Sequence, residues 1–107
     1  MEKQIAIAAL AALAQETRLD VYRLLVRHGG DGMPAGAIGS ALGLPSATLS
    51  FHLKELRSAG VVESRREGRS VIYRPDFGAM QKLLRFLTEN CCEGAGCGPA
   101  AAREPRE

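Results

Sequence analysis

The sequence has no tryptophan, two tyrosines and three phenylalanines, and no apolar run long enough to span a membrane. A helical membrane anchor is therefore not expected. There is no Gly-rich loop of the kind that cradles phosphates and no pair of carboxylates placed for acid–base work, so an enzyme is not expected either. Cysteine is scarce and crowded: three residues fall within seven positions, and an odd count leaves one unpaired in any disulfide scheme. A reducing compartment, the cytoplasm, follows as the expectation. The N-terminus M-E-K-Q-I-A-I-A-A-L-A-A-L-A-Q ends like a short signal peptide. It carries Glu2, however, lacks a clearly positive leading region, and is followed at once by another helix. The net charge is only +2, which rules out a polycation. Basic residues are instead concentrated: between Ser50 and Pro75, Lys54, Arg57, Arg65, Arg66, Arg69 and Arg74 face three glutamates. A local patch of that kind suits one surface that meets phosphates.

What is present is enough for one domain, or one domain per subunit: 107 residues, 46% hydrophobic and 24% charged. Ile5–Ala14 reads as an alanine-rich helix with Ile5, Leu10 and Leu13 as its bulk. A second helix runs from Glu16 or Thr17 to His28 and stops at Gly29-Gly30. Its apolar residues Leu19, Val21, Tyr22, Leu24, Leu25 and Val26 lie nearly all round, which predicts a central position. Asp31–Met33 is a predicted turn, and Pro34–Leu42 a third helix closed by Gly43. After the fourth helix, Val61–Arg66 and Arg69–Arg74 read as strands joined at Glu67-Gly68, a hairpin by pattern and turn chemistry. Pro75 ends it. Asp76 caps a last helix to about Asn90, with Phe77, Met80, Leu84, Leu87 and Cys91 at spacings of three and four. Residues 1–92 form the predicted domain, and residues 93–107 a glycine-rich, flexible tail.

The fourth helix, Pro45–Gly60, organises the rest. Pro45 and Ser46 are start signals, with the serine oxygen a candidate cap, and Gly60 is a stop. Leu49, Leu53 and Leu56 make one narrow apolar stripe. Ala47, Thr48, Ser50, Phe51, Lys54 and Glu55 fall away from it, leaving an outer face of small hydroxyls and one phenyl ring. Hydroxyls can reach base edges, and an apolar ring can contact a thymine methyl. Gly39 and Gly43 sit where a close helix crossing and a sharp turn demand small residues, with Ile38, Leu42, Leu44, Leu49 and Leu53 filling the interior. Helix, turn, helix and hairpin in this order predict a winged helix-turn-helix: α+β, mostly helical, with about five helices and a two-stranded wing.

Three runs resemble the ArsR/SmtB family of metal-responsive repressors: T-R-L-D-V-Y-R-L-L at Thr17–Leu25, L-S-F-H-L-K-E-L-R-S-A-G-V-V at Leu49–Val62, and R-R-E-G-R-S-V-I-Y at Arg65–Tyr73. Glu16 departs from the family, whose members usually carry a proline before Thr-Arg. The resemblance covers about residues 5–90. It implies a homodimer through the first and last helices, facing a near-palindromic double-stranded operator. It also implies that Ser46, Thr48, Ser50 and Phe51 face bases, and that His52, Lys54, Arg65 and Arg69 face phosphates. His52 lies close to the leucine stripe, so a packed histidine bonded to backbone is an equal alternative for it.

Cys91, Cys92 and Cys97 are the candidate ligand-binding residues. Neighbouring cysteines on a helix point about 100° apart, so both can face one spot only if the helix ends there. Gly94, Gly96 and Gly98 allow the chain to bring Cys97 back beside the pair. Three thiolates select soft ions; trivalent arsenic or antimony is saturated by three sulfurs, whereas zinc wants a fourth ligand. The family's cysteine pair at the start of the recognition helix is absent here, and so is its histidine-bearing zinc site, since the only histidines are His28 and His52. The chain is similar instead to the arsenic-responsive members with vicinal C-terminal cysteines. The expectation is a repressor with no obligatory cofactor, released from DNA by As(III) or Sb(III). Another thiophilic ligand (cadmium, lead, a methylated arsenical) or thiol oxidation is the alternative.

Overall fold

The structure, a computed structural model, describes residues 1–94; the tail from residue 95 onward, including Cys97, lies outside the described residues. Five helices and three short strands follow in the order α1 (Lys3–Leu13), α2 (Glu16–His28), β1 (Met33–Pro34), α3 (Ala35–Leu42), α4 (Ser46–Ser58), β2 (Val62–Glu67), β3 (Ser70–Pro75) and α5 (Phe77–Thr88). A 3₁₀ turn, Cys91–Gly94, closes the described chain.

The core forms where helices α1 to α4 meet the sheet. Val21, Leu25, Ile38, Leu53, Leu56 and Val61 are its most deeply buried side chains. The α3–α4 crossing is built as the sequence predicts. A Cβ at Gly39 would lie 3.3 Å from the Leu44 carbonyl oxygen and 3.5 Å from Leu49, and Gly43 turns the chain with φ 66°. Only glycine takes that left-handed backbone without steric cost.

Two expectations, at β1 and α2, are corrected, and two helices whose facing the spacing left open, α1 and α5, are oriented. The two-stranded hairpin wing is part of a three-stranded sheet, because Met33 and Pro34, expected as turn and helix start, pair antiparallel with Tyr73 and Ile72 at the edge of β3. Two residues carry no readable alternation, and a proline is tolerated on an edge strand because no neighbour asks for its N–H. In α1 the core residues are Ala6, Ala9 and Ala12, and Ile5, Ile7 and Leu10 lie outside. Helix α2 is central on one side only: Val21, Tyr22 and Leu25 are buried, whereas Leu19 and Val26 are exposed. In α5 the single buried side chain is Leu83, and the stripe carrying Phe77, Leu84 and Leu87 faces outward.

The caps are local. Asp76 Oδ1 accepts from the Ala79 N–H at 3.0 Å, as its sequence position predicts. Gln15 Oε1 accepts from the Arg18 N–H at 2.8 Å, so a glutamine cap starts α2 where a proline is absent. Ser46 does not cap. Pro45 occupies the N-cap position with no side-chain bond, which leaves the Ser46 hydroxyl exposed in the first turn.

Candidate nucleic-acid interface and cysteine pair

Helix α4 turns Leu49, Leu53 and Leu56 into the core and leaves Ser46, Thr48, Ser50, Phe51 and Lys54 exposed. Phe51, at 56% exposure, is the most exposed large apolar side chain among the described residues. A phenyl ring amid small hydroxyls suits a surface that meets a groove floor, where an apolar ring can contact a thymine methyl.

His52 is the residue the structure moves. It is only 9% exposed, and its Nδ1 lies 3.2 Å from Arg18 Nη1. A side chain held in the core cannot also reach a phosphate, so the packed alternative is the one observed. Its partner is Arg18 of α2 rather than backbone. Arg18 itself carried no signal in the sequence beyond its place in the Thr17–Leu25 run.

The wing sorts its arginines. Arg65 Nε pairs with Glu67 Oε2 at 2.8 Å, and its Nη2 donates to the Asp31 carbonyl at 3.0 Å. Arg74 Nε pairs with Glu63 Oε2 at 2.6 Å, and its Nη1 donates to the Gly30 carbonyl at 3.2 Å. Exposed pairs of this kind contribute little stability, but they commit the two guanidinium groups to holding the wing against the segment before β1. No other ion pair occurs among the described residues. Lys54, Arg66 and Arg69 thus remain as exposed cations on the helix and the wing, with Gly68 (φ 63°) turning the hairpin beside Arg69. Arg66, counted in the basic patch of the sequence, projects to the opposite face of the strand from Arg65.

At the far end of the molecule, α5 stops at Thr88, and both Asn90 and Cys92 take φ 57°. That left-handed conformation costs a residue with a Cβ about 1–2 kcal/mol. It also takes Cys92 out of helical geometry, and the Cys91 and Cys92 Sγ atoms come within 3.4 Å of each other on the surface. The condition set by the sequence, that the helix end at the pair, is met. Cys97 lies outside the described residues, among which no cluster of three metal-ligating side chains occurs.

Comparison with known proteins places this geometry. Residues 13–65 match a family model described as a helix-turn-helix domain. The nodulation protein NolR of Rhizobium meliloti is 32% identical over 88 residues, covering 82% of this chain and 70% of its own. The transcriptional activator HlyU of Vibrio cholerae is 30% identical over 95 residues, 87% of this chain and 85% of that protein. Among solved structures, an ArsR-like transcriptional regulator from Rhodococcus sp. RHA1 superposes with a TM-score of 0.74 at 28% identity, covering 84% of this chain and 82% of that one. The homodimeric winged helix-turn-helix DNA-binding domain of a possible ArsR-family regulator from Mycobacterium bovis gives 0.65 at 31% identity, covering 84% and 83%. A protein described as a possible transcriptional regulator for arsenical resistance gives 0.65 at 26% identity, covering 74% and 79%.

Proposed function

The chain belongs to the ArsR family of winged helix-turn-helix transcriptional regulators, and from that premise we propose a homodimeric repressor that trivalent arsenic or antimony releases from its operator. It is a DNA-binding regulator and not an enzyme. The single observation that carries the ligand is the vicinal pair of Cys91 and Cys92, with sulfurs 3.4 Å apart. Cys97 is the third ligand in this reading, and the likeness to a possible regulator for arsenical resistance supports the class of ligand.

The dimer rests on the outer faces of α1 and α5, which pack side by side. Ile5, Ile7 and Leu10 on one and Leu84 and Leu87 on the other are all exposed. Large apolar side chains on two adjacent helices call for a cover, and a second copy presenting the same face supplies it. Two copies would set two α4 helices against a near-palindromic, double-stranded operator. Ser46, Thr48, Ser50 and Phe51 would meet bases, and Lys54, Arg65 and Arg69 phosphates, with Arg65 partly occupied by Glu67. Such a regulator works in the cytoplasm, where the DNA is, and needs no resident cofactor.

Release would start where α5 ends and be felt where α5 begins. The Asp76 N–H donates to the Val61 carbonyl at 2.9 Å, and the Val61 N–H donates to the Leu56 carbonyl of the recognition helix at 3.2 Å. A shift of α5 on ligand binding would thus bear on the dimer face and on the end of α4 together. A coupling of about 1–3 kcal/mol lowers operator affinity about 5- to 150-fold.

The test is fluorescence anisotropy of labelled DNA from upstream of the protein's own gene, titrated with reduced protein and then with arsenite. Arsenite should release the DNA from the wild type, and Cys91→Ser or Cys92→Ser should bind DNA but ignore arsenite. Binding untouched by arsenite would remove the ligand and keep the regulator. A second reading, favoured by two sulfurs in contact, is that the pair senses oxidation; release by peroxide and recovery with dithiothreitol would identify it. Cadmium, lead and methylated arsenicals complete the panel.

A further inference from the structure

We infer that Arg18 and His52 form a proton-sensitive strap that fixes the recognition helix to the end of α1, so that protonating His52 lowers operator affinity. Operator binding is taken from the reading above; the strap itself is a property of the protein alone.

Arg18 joins three helices. Its backbone N–H caps α2 through Gln15, its Nε donates to the Ala12 carbonyl at 2.7 Å, and its Nη1 lies 3.2 Å from His52 Nδ1. Ala12 is in the last turn of α1, where carbonyls lack helical partners. A planar guanidinium can serve two acceptors at once, which an ammonium does poorly. One side chain therefore spans from α1, across the start of α2, to the inward face of α4. His52 is the one buried polar or charged side chain of the core among the described residues.

The chemistry fixes the proton. A guanidinium only donates, so Nδ1 must accept, and the ring proton must sit on Nε2. Protonation turns Nδ1 into a donor facing a permanent cation. The bond is lost, and two positive groups face each other in a nearly closed site. Few carboxylates stand close by to relieve this. The segment of α1 alongside, Ala8–Ala12, and all of α3 contain no titratable residue. Tyr22, one turn along α2 from Arg18, is kept neutral because burial, with Asp76 in addition, raises its pKa. The wing carboxylates Glu63 and Glu67 are held by Arg74 and Arg65. Glu55, one turn on in α4, lines the same cleft as Arg18 between α1 and α4 and is the nearest carboxylate on His52's own helix.

The strap has a consequence for recognition. Phe51, which stands in the predicted base-reading position, packs its ring edge-on against the His52 ring, with centroids 5.4 Å apart and planes at 65°. Moving the imidazole therefore moves the neighbour that meets DNA. His52 acts through Arg18 and Phe51 and is a positioning residue; it touches no base.

The test uses the full chain. Long-range proton–nitrogen-15 spectra of the imidazoles, with His52→Gln to assign the signal, should show the Nε2–H tautomer with Nδ1 shifted as a hydrogen-bond acceptor, and Arg18→Met should move Nδ1 to the value of an unbonded ring nitrogen. His52→Gln keeps an acceptor for Arg18 but has no proton to gain. As pH is lowered from about 7.5 toward the acid limit of the folded protein at fixed ionic strength, operator affinity of the wild type should therefore fall at least about fivefold more than that of His52→Gln. An Nδ1–H tautomer overturns the strap, and so does an identical pH profile in the two proteins. If no variant binds DNA at any pH, the operator reading fails, and the Nδ1 signal alone decides the strap: a shift that responds to Arg18→Met supports it, and an Nδ1–H tautomer or an unresponsive Nδ1 overturns it.

Discussion

Gly32→Ala is the sharpest stability test of the wing. Gly32 sits just before β1 with φ +87°, and a Cβ there would lie 2.8 Å from Ile72 Cγ2 and 2.8 Å from the Tyr73 carbonyl oxygen. Two penalties combine. The left-handed backbone costs a residue with a Cβ about 1–2 kcal/mol, and forcing a methyl into filled space costs about 1–3 kcal/mol. The expected loss is about 2–5 kcal/mol, a large part of the stability of a small domain. In thermal unfolding it lowers Tm by at least about 8 °C. Two neighbours calibrate the experiment. Gly30 has no heavy atom within 4 Å of its Cβ position and no left-handed φ, so Gly30→Ala should stay within about 0.5 kcal/mol of wild type or gain slightly. Gly29 has φ +112° and ψ 178°, a backbone that essentially only glycine adopts, but open space, so Gly29→Ala should carry the backbone penalty alone, about 1–3 kcal/mol. All four proteins should be unfolded in urea at one concentration, since association adds to apparent stability. Gly32→Ala as stable as Gly30→Ala would refute both the β1–β3 pairing and the packing argument built on it.

Two further outcomes follow from the surfaces. Leu84→Glu combined with Leu87→Glu places carboxylates on the outer face of α5 and should give a folded monomer in sedimentation; a persistent dimer would move the interface elsewhere. Arg69→Gln should weaken operator binding and reduce the slope of log affinity against log salt by about 1 per phosphate contact removed. Arg65→Gln should change that slope less, because its guanidinium is already engaged by Glu67 and Asp31; equal slopes for the two variants would contradict this division.

The helix-turn-helix was legible because its constraints are local: two glycines four apart, a stop at Gly60, and leucines spaced for one face. The hairpin was legible for the same reason. Strand β1 was not, because Met33 and Pro34 acquire strand identity only from β3, more than thirty residues away. Helix α1 was read by its bulk, yet tight packing favours small side chains inward, so Ala6, Ala9 and Ala12 carry the contact. The outward stripe of α5 was correctly grouped, but its direction is set by Leu83, which the spacing argument passed over. His52 could be narrowed to two environments by its angle from the stripe. Choosing between them required Arg18, a residue thirty-four positions earlier. At the cysteine pair the sequence specified a condition, that the helix end there, and Asn90 and Cys92 satisfy it in the backbone.

The outward bulk of α1 and α5 also bears on how a site so far from the recognition helix can control it. Helix α5 buries Leu83 in the core, rests Met80 and Phe86 partly against it, and turns Phe77, Leu84 and Leu87 outward, so its position is set by what covers it as well as by the protomer's interior. Its first residues are tied by backbone to Val61, directly after the recognition helix, and its end leads into the vicinal cysteines. A ligand that reorders a few residues at Cys91 therefore acts on an element anchored inside the protomer along one face, shared with a second copy in the proposed dimer, and bonded next to α4. No long chain of side-chain rearrangements is required. A rigid helix carries the displacement, and Arg18 and His52, holding α4 to α1, determine how much of it reaches the DNA-reading face.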